Sequence, residues 1–242
     1  MQLNTSTHTN HLVKILTAIY KNPYLNNYLG FKGGTALMLF YNLNRLSVDL
    51  DFDLTAKVAK NSAEFKKIIY EITKLLEKES YILKDNSEEY NTLFWAVSYG
   101  SGTKQIKVEI STKEQPFDTY EIKNLYGISI KTSTLPNLIA HKLVALVSRT
   151  MFANRDLFDT HYLLEKYPEN INYQVIQDRL QKDPSEFYTY LLDFLGKMKS
   201  NNLLDSIGEL INESQKNWIR DNLLKETKGL IQKQLDLRLW EG

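Results

Sequence analysis

Polar and apolar side chains alternate strictly over eight consecutive residues of this chain, from Ser47 to Leu54. Such alternation predicts a β-strand, because successive side chains of a strand point to opposite faces of the sheet. The apolar face holds Val48, Leu50, Phe52 and Leu54, and the polar face holds Ser47, Asp49, Asp51 and Asp53. Aspartates that share one face repel each other unless water or a cation compensates. The run therefore predicts either a solvated polar face or a magnesium site, for which carboxylate oxygens are suitable ligands.

A glycine turn precedes this strand. Gly33 and Gly34 stand before a short predicted helix, and Gly34 lies 15 residues ahead of Asp49. Glycine lets the backbone approach a ligand closely, and a helix N-terminus offers N–H groups to phosphate. Thr35 either caps this helix or donates its hydroxyl to a phosphate oxygen. Alone the turn is typical of an ordinary helix cap, but together with the acidic strand it predicts a phosphate-transfer site.

A further carboxylate lies on another predicted strand, Gln105–Ser111, which a turn at Gly100–Gly102 joins to the strand Thr92–Ser98. Alternation places Glu109 on the polar face of this strand. If the strand neighbours the acidic one, Glu109 completes the metal site or accepts a proton; otherwise it belongs to a half-exposed strand. The alternation alone does not choose between these interpretations.

The remaining pattern predicts an α+β N-terminal half with a mixed β-sheet, followed by an all-helical C-terminal half. We expect helices over about 10–29, interrupted near Pro23, and over 62–79, with short strands at 81–83, 119–123 and 127–131. After Pro136 the pattern is helical, with breaks near Asn154, Pro168 and Pro184. We therefore predict two domains, 1–133 and 134–242, with their boundary in the Thr/Ser/Pro stretch near 132–136.

Composition excludes several classes of protein. The 242 residues are 43% apolar and 24% charged, which is typical of a globular protein. The 30 basic and 29 acidic side chains nearly cancel, which argues against nucleic-acid binding through bulk charge. Cysteine is absent, so no cysteine zinc site is expected, and a reducing, cytoplasmic location fits. We expect neither a signal peptide nor a membrane span.

The helical half adds charged residues at unusual positions. Leu135, Leu138, Ile139, Leu143 and Leu146 form an apolar helix stripe. Lys142 falls within this stripe, so its ammonium group either reaches the surface or meets phosphates or carboxylates in a cleft. Asp156 and Asp159 are spaced to share a helix face, although Asp156 also suits a helix N-terminus. His8 and His11 have helical spacing but lie in a polar N-terminal stretch, where we expect no zinc site.

Three motifs together resemble the AbiEii/AbiGii toxin family of nucleotidyltransferases, within the polymerase-β-like superfamily. They are KGGTAL from Lys32, RLSVDLDF from Arg45 and KVEIS from Lys107. The family's third motif is a helix with an internal lysine and a later arginine, which matches Lys142 and Arg149. Its fourth motif is a basic residue followed by two spaced aspartates, which matches Arg155, Asp156 and Asp159. The resemblance covers about residues 32–164.

The resemblance implies a magnesium-dependent transfer of a nucleoside monophosphate from an NTP to an acceptor hydroxyl, with two ions at the site. It implies that Asp49, Asp51 and Glu109 hold metal and that Lys142 and Asp156 act with them. It further implies that Lys32, Gly33, Gly34, Thr35, Arg45 and Ser47 contact the nucleotide, with Arg149, Arg155 and Asp159 of second rank. The acceptor expected from the family is RNA, especially the tRNA 3′ end, and the expected partner is an antitoxin.

Two other functions stay open from the sequence. The chain is alternatively a nucleotidyltransferase that acts on a small molecule such as an aminoglycoside. It is alternatively a non-catalytic binding or regulatory module, in which the acidic strand is a solvated face. Nucleotide transfer assays with metal and acceptor separate these alternatives.

Overall fold

The structure, a computed structural model, describes residues 4–100, 104–198 and 202–241. The chain divides into two compact units. The sheet unit comprises the chain up to Asn42 together with Leu46–Ser133, and the helical unit comprises Leu43–Arg45 together with the chain from Thr134 onward. Most of the predicted Gly100–Gly102 turn lies outside the described residues.

A mixed sheet forms the centre of the sheet unit. Within the described residues its strands are β1 Leu29–Lys32, β2 Leu50–Leu54, β3 Ile82–Glu88, β4 Thr92–Ser98, β5 Ile106–Ser111, β6 Tyr120–Leu125 and β7 Ile128–Ser133. Their order is β3–β4–β5–β2–β1–β7–β6. Strand β2 lies in the middle, parallel to β5 and antiparallel to β1. The predicted α+β class is confirmed, and the neighbouring of β2 and β5 brings the two acidic strands together.

Helices pack on this sheet. They are α1 Thr5–Lys21, α2 Gly33–Tyr41 and α3 Ala63–Lys78, with a 3-10 turn at Leu25–Asn27. The first helix begins earlier than predicted, because the Asn4 side chain caps it by accepting a hydrogen bond from the Thr7 N–H. Ser62 caps α3 in the same way, through the Phe65 N–H. The amphipathic patterns of α1 and α3 bury one apolar face each.

The helical unit contains helices and no strand among its described residues. Its helices are α4 Leu135–Ser148, α5 Asn154–Lys166, α6 Tyr173–Leu180, α7 Pro184–Gly196, α8 Glu213–Trp218 and α9 Leu224–Leu237, with a π-turn at Ile219–Leu223. The predicted breaks near Asn154, Pro168 and Pro184 are confirmed. Throughout the described chain, every helix is too short or too polar to cross a membrane.

One glycine in β1 makes room for a tyrosine from β6. A Cβ atom on Gly30 would lie 2.3 Å from Cε1 of Tyr120 and 2.8 Å from Cγ2 of Thr55. The Tyr120 ring thus occupies the place of the missing side chain, and its hydroxyl donates a hydrogen bond of 3.1 Å to Asp53. Burial, with the charge of Asp53, raises the pKa of Tyr120, so its hydroxyl stays protonated and keeps donating.

We predict that Gly30→Ala destabilises the protein by about 1–3 kcal/mol, because the added methyl group overpacks the space that the Tyr120 ring fills. Gly229→Ala is the control, since Gly229 lies exposed within α9 and a Cβ there meets nothing within 4 Å. It should stabilise by about 0.5–1 kcal/mol through helix propensity. Urea unfolding followed by circular dichroism measures both variants. A Gly30→Ala protein as stable as the wild type would contradict this packing.

Candidate active site

The acidic segment is a strand over only part of its length. Strand β2 begins at Leu50, so the strand predicted from the alternation is wrong for Ser47, Val48 and Asp49. The reason is that backbone groups of these residues bond to side chains of α1 and α2 rather than to a neighbouring strand. Asp49 therefore stands immediately before the sheet, while Asp51 and Asp53 lie within it.

Side chains of α2 hold the segment before β2. The hydroxyl of Thr35 donates a 2.5 Å hydrogen bond to the backbone carbonyl of Asp49. The N–H of Ser47 donates to the sulfur of Met38 at 3.3 Å. Thr35 is fully buried and its hydroxyl hydrogen is engaged with Asp49, so it acts neither as the cap of α2 nor as a free phosphate donor.

Asp51 and Glu109 are direct neighbours on adjacent parallel strands. Their Cα atoms are register partners in the β2–β5 pairing, and side chains of such partners point to the same face. Of the two interpretations left open for Glu109, the one in which its strand neighbours the acidic strand is observed. Asp49, two residues before Asp51, lies just beyond the end of this pairing.

The carboxylate of Asp51 lies directly against Gly33. A Cβ atom built on Gly33 would lie 2.2 Å from Oδ2 of Asp51, and the backbone of Gly33 has a φ of +77°, in the left-handed region. Glycine is therefore required at this position both for its backbone conformation and for the close approach of the carboxylate. Gly33 is also the first residue of α2, whose preceding residue, Lys32, makes no side-chain cap.

The third aspartate of the alternation has a different environment. Asp53 is fully buried and pairs with Lys32, whose Nζ lies 2.5 Å from Oδ1, and with the hydroxyl of Tyr120. The register explains this pairing, because Lys32 is the β1 partner of Asp51 and so lies diagonal to Asp53. Lys32, predicted to contact phosphate, is here engaged with Asp53.

Magnesium requires several hard oxygen ligands in near-octahedral geometry around one point. Among the described residues, no three His, Cys, Asp or Glu side chains are grouped closely enough to hold a metal ion as they stand. The chemistry of the donors nevertheless fits a hard cation, since Asp51 and Glu109 are carboxylates on the same face of adjacent strands and Asp49 is two residues from Asp51 in the chain. Gly33 leaves space at the same point.

The helical unit contains a cluster of charges that is largely buried, with Arg149 at its exposed edge, and we call it the ion cluster: Arg45, Lys142, Arg149, Asp156 and Asp159. Arg45 forms a bidentate pair with Asp159, with both N–O distances 2.6 Å, and both side chains are almost fully buried. Arg45 was predicted to contact the nucleotide, but in this structure its guanidinium group is engaged within the helical unit.

Lys142 joins the two aspartates of α5. Its Nζ lies 2.7 Å from Oδ1 of Asp156 and 2.8 Å from Oδ2 of Asp159. Nε of Arg149 lies 2.8 Å from the other oxygen of Asp156, in a geometry that makes an ion pair but not a hydrogen bond. Of the two open interpretations for Lys142, contact with carboxylates is the one observed. Its predicted contact with nucleotide phosphates stays a prediction, as does any role of the half-buried Arg155.

Mutual attraction controls ionisation in the ion cluster. Burial alone would lower the pKa of Lys142, but the charges of Asp159 and Asp156 outweigh it and raise this pKa. Burial alone would raise the pKa of Asp159, but Arg45 and Lys142 lower it. Asp159 thus adds stability that is present above its ordinary pKa of 3.8 and is lost as the pH falls through its lower folded-state pKa. The stability from Lys142 is present below 10.5 and is lost as the pH rises through its raised pKa.

Sequence reasoning missed one residue at this site, His8. Its ring is fully buried, and Nε2 lies 3.0 Å from the carbonyl oxygen of Val48. Burial lowers its pKa, although the bond to Val48 opposes the shift. The signal was present in the sequence, because His8 precedes Leu12 and Ile15 by four and seven residues and so continues the buried stripe of α1.

Comparison with known proteins gives a family and a fold. The family model of the nucleotidyl transferase AbiEii toxins of type IV toxin–antitoxin systems matches residues 14–233. Two solved structures from Helicobacter pylori, a candidate nucleotidyltransferase and JHP933, superpose with a TM-score of 0.62 each. Their sequences are 22% and 21% identical to this chain, respectively. Each alignment covers 98% of this chain, and it covers 99% of the first structure's chain and 96% of the second's. At this identity the likeness concerns the fold. Curated protein sequences give no match.

We predict that Arg45→Met destabilises the protein by about 3–5 kcal/mol, because it leaves the buried carboxylate of Asp159 with one cation fewer. Lys197→Met is the matched control, since Lys197 pairs with Asp193 on the exposed surface of the same unit. It should change stability by less than about 0.5 kcal/mol. Equilibrium urea unfolding measures both. Equal stabilities of the two variants would show that the ion cluster contributes nothing specific.

Proposed function

Because the chain belongs to the AbiEii family of nucleotidyl transferase toxins, we propose that its sheet unit transfers a nucleoside monophosphate from an NTP to an acceptor hydroxyl in a magnesium-dependent reaction. The observation that carries the proposal is the seating of the Asp51 carboxylate against Gly33, beside Glu109. It joins the glycine turn to the acidic strands at one point, as a site for a metal-bound triphosphate requires.

Each acidic residue has its own role in this proposal. Asp49 and Asp51 bind two magnesium ions, and Glu109 is the third ligand or the general base. Magnesium, when bound, stabilises charge on the attacking and leaving oxygens. Asp53 takes no part, because its carboxylate is buried and engaged with Lys32 and Tyr120.

The phosphates of the nucleotide lie at the start of α2. Gly33 and Gly34 present backbone N–H groups in the first turn of this helix, where the helix dipole favours an anion. Thr35 supports this site indirectly, by holding Asp49. Ser47 is mostly buried and lies two residues before Asp49, so it borders the same site.

The transfer balances as a substitution at the α-phosphorus. The acceptor hydroxyl oxygen attacks the α-phosphorus in line and forms a new phosphodiester bond. The bond from the α-phosphorus to the bridging oxygen breaks, and pyrophosphate leaves with its electrons. The hydroxyl proton passes to Glu109 or to solvent.

The partners follow from the family. A type IV toxin–antitoxin family implies an antitoxin encoded as a partner, and a nucleotidyltransferase implies an NTP substrate. We propose that the acceptor is RNA, with the tRNA 3′ end as its preferred site, and that the protein works in the cytoplasm. The acceptor assay must distinguish labelled RNA from a labelled small hydroxylated acceptor such as an aminoglycoside.

We predict that Asp49→Asn and Asp51→Asn each lower transfer roughly a hundredfold or more, since the metal contributes several kcal/mol to such a transition state. Pyrophosphate release is measured with each NTP, magnesium and total RNA, and toxicity is scored in cells. Glu114→Gln is the control, because Glu114 is an exposed carboxylate of the same unit. Wild-type activity in both aspartate variants would contradict the proposal.

A pair of glycine substitutions tests the seating of Asp51. Gly33→Ala and Gly127→Ala impose similar backbone strain, since both glycines have a positive φ, +77° and +82°. Only the first places a methyl group against a carboxylate; a Cβ on Gly127 meets nothing within 4 Å. We predict that Gly33→Ala abolishes transfer in a folded protein, while Gly127→Ala retains it. Equal losses in the two variants would contradict the seating.

A further inference from the structure

Two peptide planes determine where the side chain of Asp49 points. A peptide unit is planar, so each residue has only two soft backbone torsions, one toward each neighbouring plane. The plane before Asp49 carries the carbonyl of Val48, and the plane after it carries the carbonyl of Asp49 itself. Holding both carbonyl oxygens therefore fixes the direction of the Cα–Cβ bond of Asp49.

Both oxygens are held by side chains rather than by the sheet. Thr35 from α2 donates to the carbonyl of Asp49 at 2.5 Å. Nε2 of His8 from α1 lies 3.0 Å from the carbonyl of Val48. These bonds supply partners that the strand ladder does not give, because β2 begins only at Leu50.

The tautomer of His8 follows from its two partners. A carbonyl oxygen only accepts hydrogen bonds, so Nε2 carries the hydrogen and donates to Val48. In the neutral ring Nδ1 then accepts, and the hydroxyl of Tyr99 lies 3.2 Å from it as the donor. The ring also lies edge-on to Tyr99, with centroids 5.8 Å apart.

Further aromatic contacts keep His8 in place. Tyr99 follows β4, and the ring of His11 stacks on it at a centroid distance of 4.2 Å. His11 in turn lies 2.9 Å from the hydroxyl of Tyr81. The side chain of His8 is thus held by Tyr99, while the hydrogen-bonding partner of His11 is Tyr81.

We propose that His8 is a positioning residue for the candidate metal ligand Asp49, acting through its hydrogen bond to the Val48 carbonyl. This inference rests on the proposed function for the role of Asp49, but the bond and its effect on the backbone are independent of it. A buried donor at this point keeps the carboxylate-bearing Cα–Cβ bond in one direction before any metal arrives. Loss of a group that hydrogen-bonds a metal ligand directly typically costs 10–100-fold in metal affinity or activity, and because His8 acts one residue away we expect an effect at the lower end of that range.

The test compares three variants of the full chain. His8→Leu removes the donor at similar size, His8→Gln restores an amide N–H at similar reach, and His11→Leu alters the same aromatic cluster one turn away. We expect His8→Leu to lower kcat and raise the magnesium concentration for half-maximal rate by about tenfold. We expect His8→Gln to recover most of both, and His11→Leu to leave both near wild type, with KM for the NTP little changed throughout.

Hydrogen exchange measured by mass spectrometry reads the backbone without any assay of activity. The amides of residues 46–50 should exchange faster in His8→Leu than in the wild type. In His11→Leu their exchange rates should equal those of the wild type. Unchanged exchange of this segment in His8→Leu would overturn the proposal. So would an equal magnesium shift in the two leucine variants, or a loss that His8→Gln does not recover.

Failure of this inference and failure of the proposed function give different results. If the wild type transfers nucleotide and requires Asp49, but His8→Leu matches it, only the positioning role is wrong. If the wild type transfers nothing with any NTP, the proposed function is wrong. The exchange of residues 46–50 then still decides whether His8 holds the segment.

Discussion

Asp49, Asp51 and Asp53 stand at alternate positions of one short segment, so their carboxylates repel one another. The packing around this segment in the sheet unit must compensate that repulsion. Each carboxylate has a different environment. Asp53 is buried and neutralised by Lys32 with a hydrogen bond from Tyr120, and Asp51 lies against Gly33 beside Glu109. Asp49 leaves the strand altogether, so that its backbone is held by side chains instead. The charge of Asp53 is compensated by Lys32, and the proposed function assigns the cation to Asp49 and Asp51.

The environment of these carboxylates explains which residue types stand at positions 30, 33 and 35. Gly30 lacks a side chain where the Tyr120 ring must pass to reach Asp53, and Gly33 lacks one where Asp51 must lie. Thr35, a residue inside α2, turns its hydroxyl to the backbone of Asp49. In each case the short distance to one aspartate explains the residue type, at Gly33 together with the positive φ of its backbone.

Local patterns predicted the α+β class, most strands and the helix breaks, because alternation and helical spacing act over a few residues. They left open whether the strand of Glu109 neighbours the acidic strand, because the pairing of distant strands is not a local property. They did not predict that Val48 and Asp49 lie outside the strand, since the cause is bonds to side chains of other elements, from His8 to Val48 and from Thr35 to Asp49. Nor could they place Arg45, whose partner Asp159 is 114 residues distant.

The segment Leu43–Arg45 shows why residue roles transfer less reliably than motifs. It belongs to the helical unit although it lies between α2 and β2 in the chain. Arg45 joins it to that unit through its ion pair with Asp159 in the ion cluster. From the sequence, Arg45, four positions before Asp49, is predicted to contact phosphate. In the structure its guanidinium group holds a buried carboxylate, so the same residue contributes stability.

The central claim is that this protein transfers a nucleotide through its α-phosphate. The direct measurement incubates the protein with magnesium, total RNA and an NTP labelled either at the α- or at the γ-phosphate. The account predicts that α-label enters the acceptor and that γ-label is released as pyrophosphate, with neither event in Asp51→Asn. Label from the γ-phosphate in the acceptor, or no transfer of α-label to any acceptor, would contradict it.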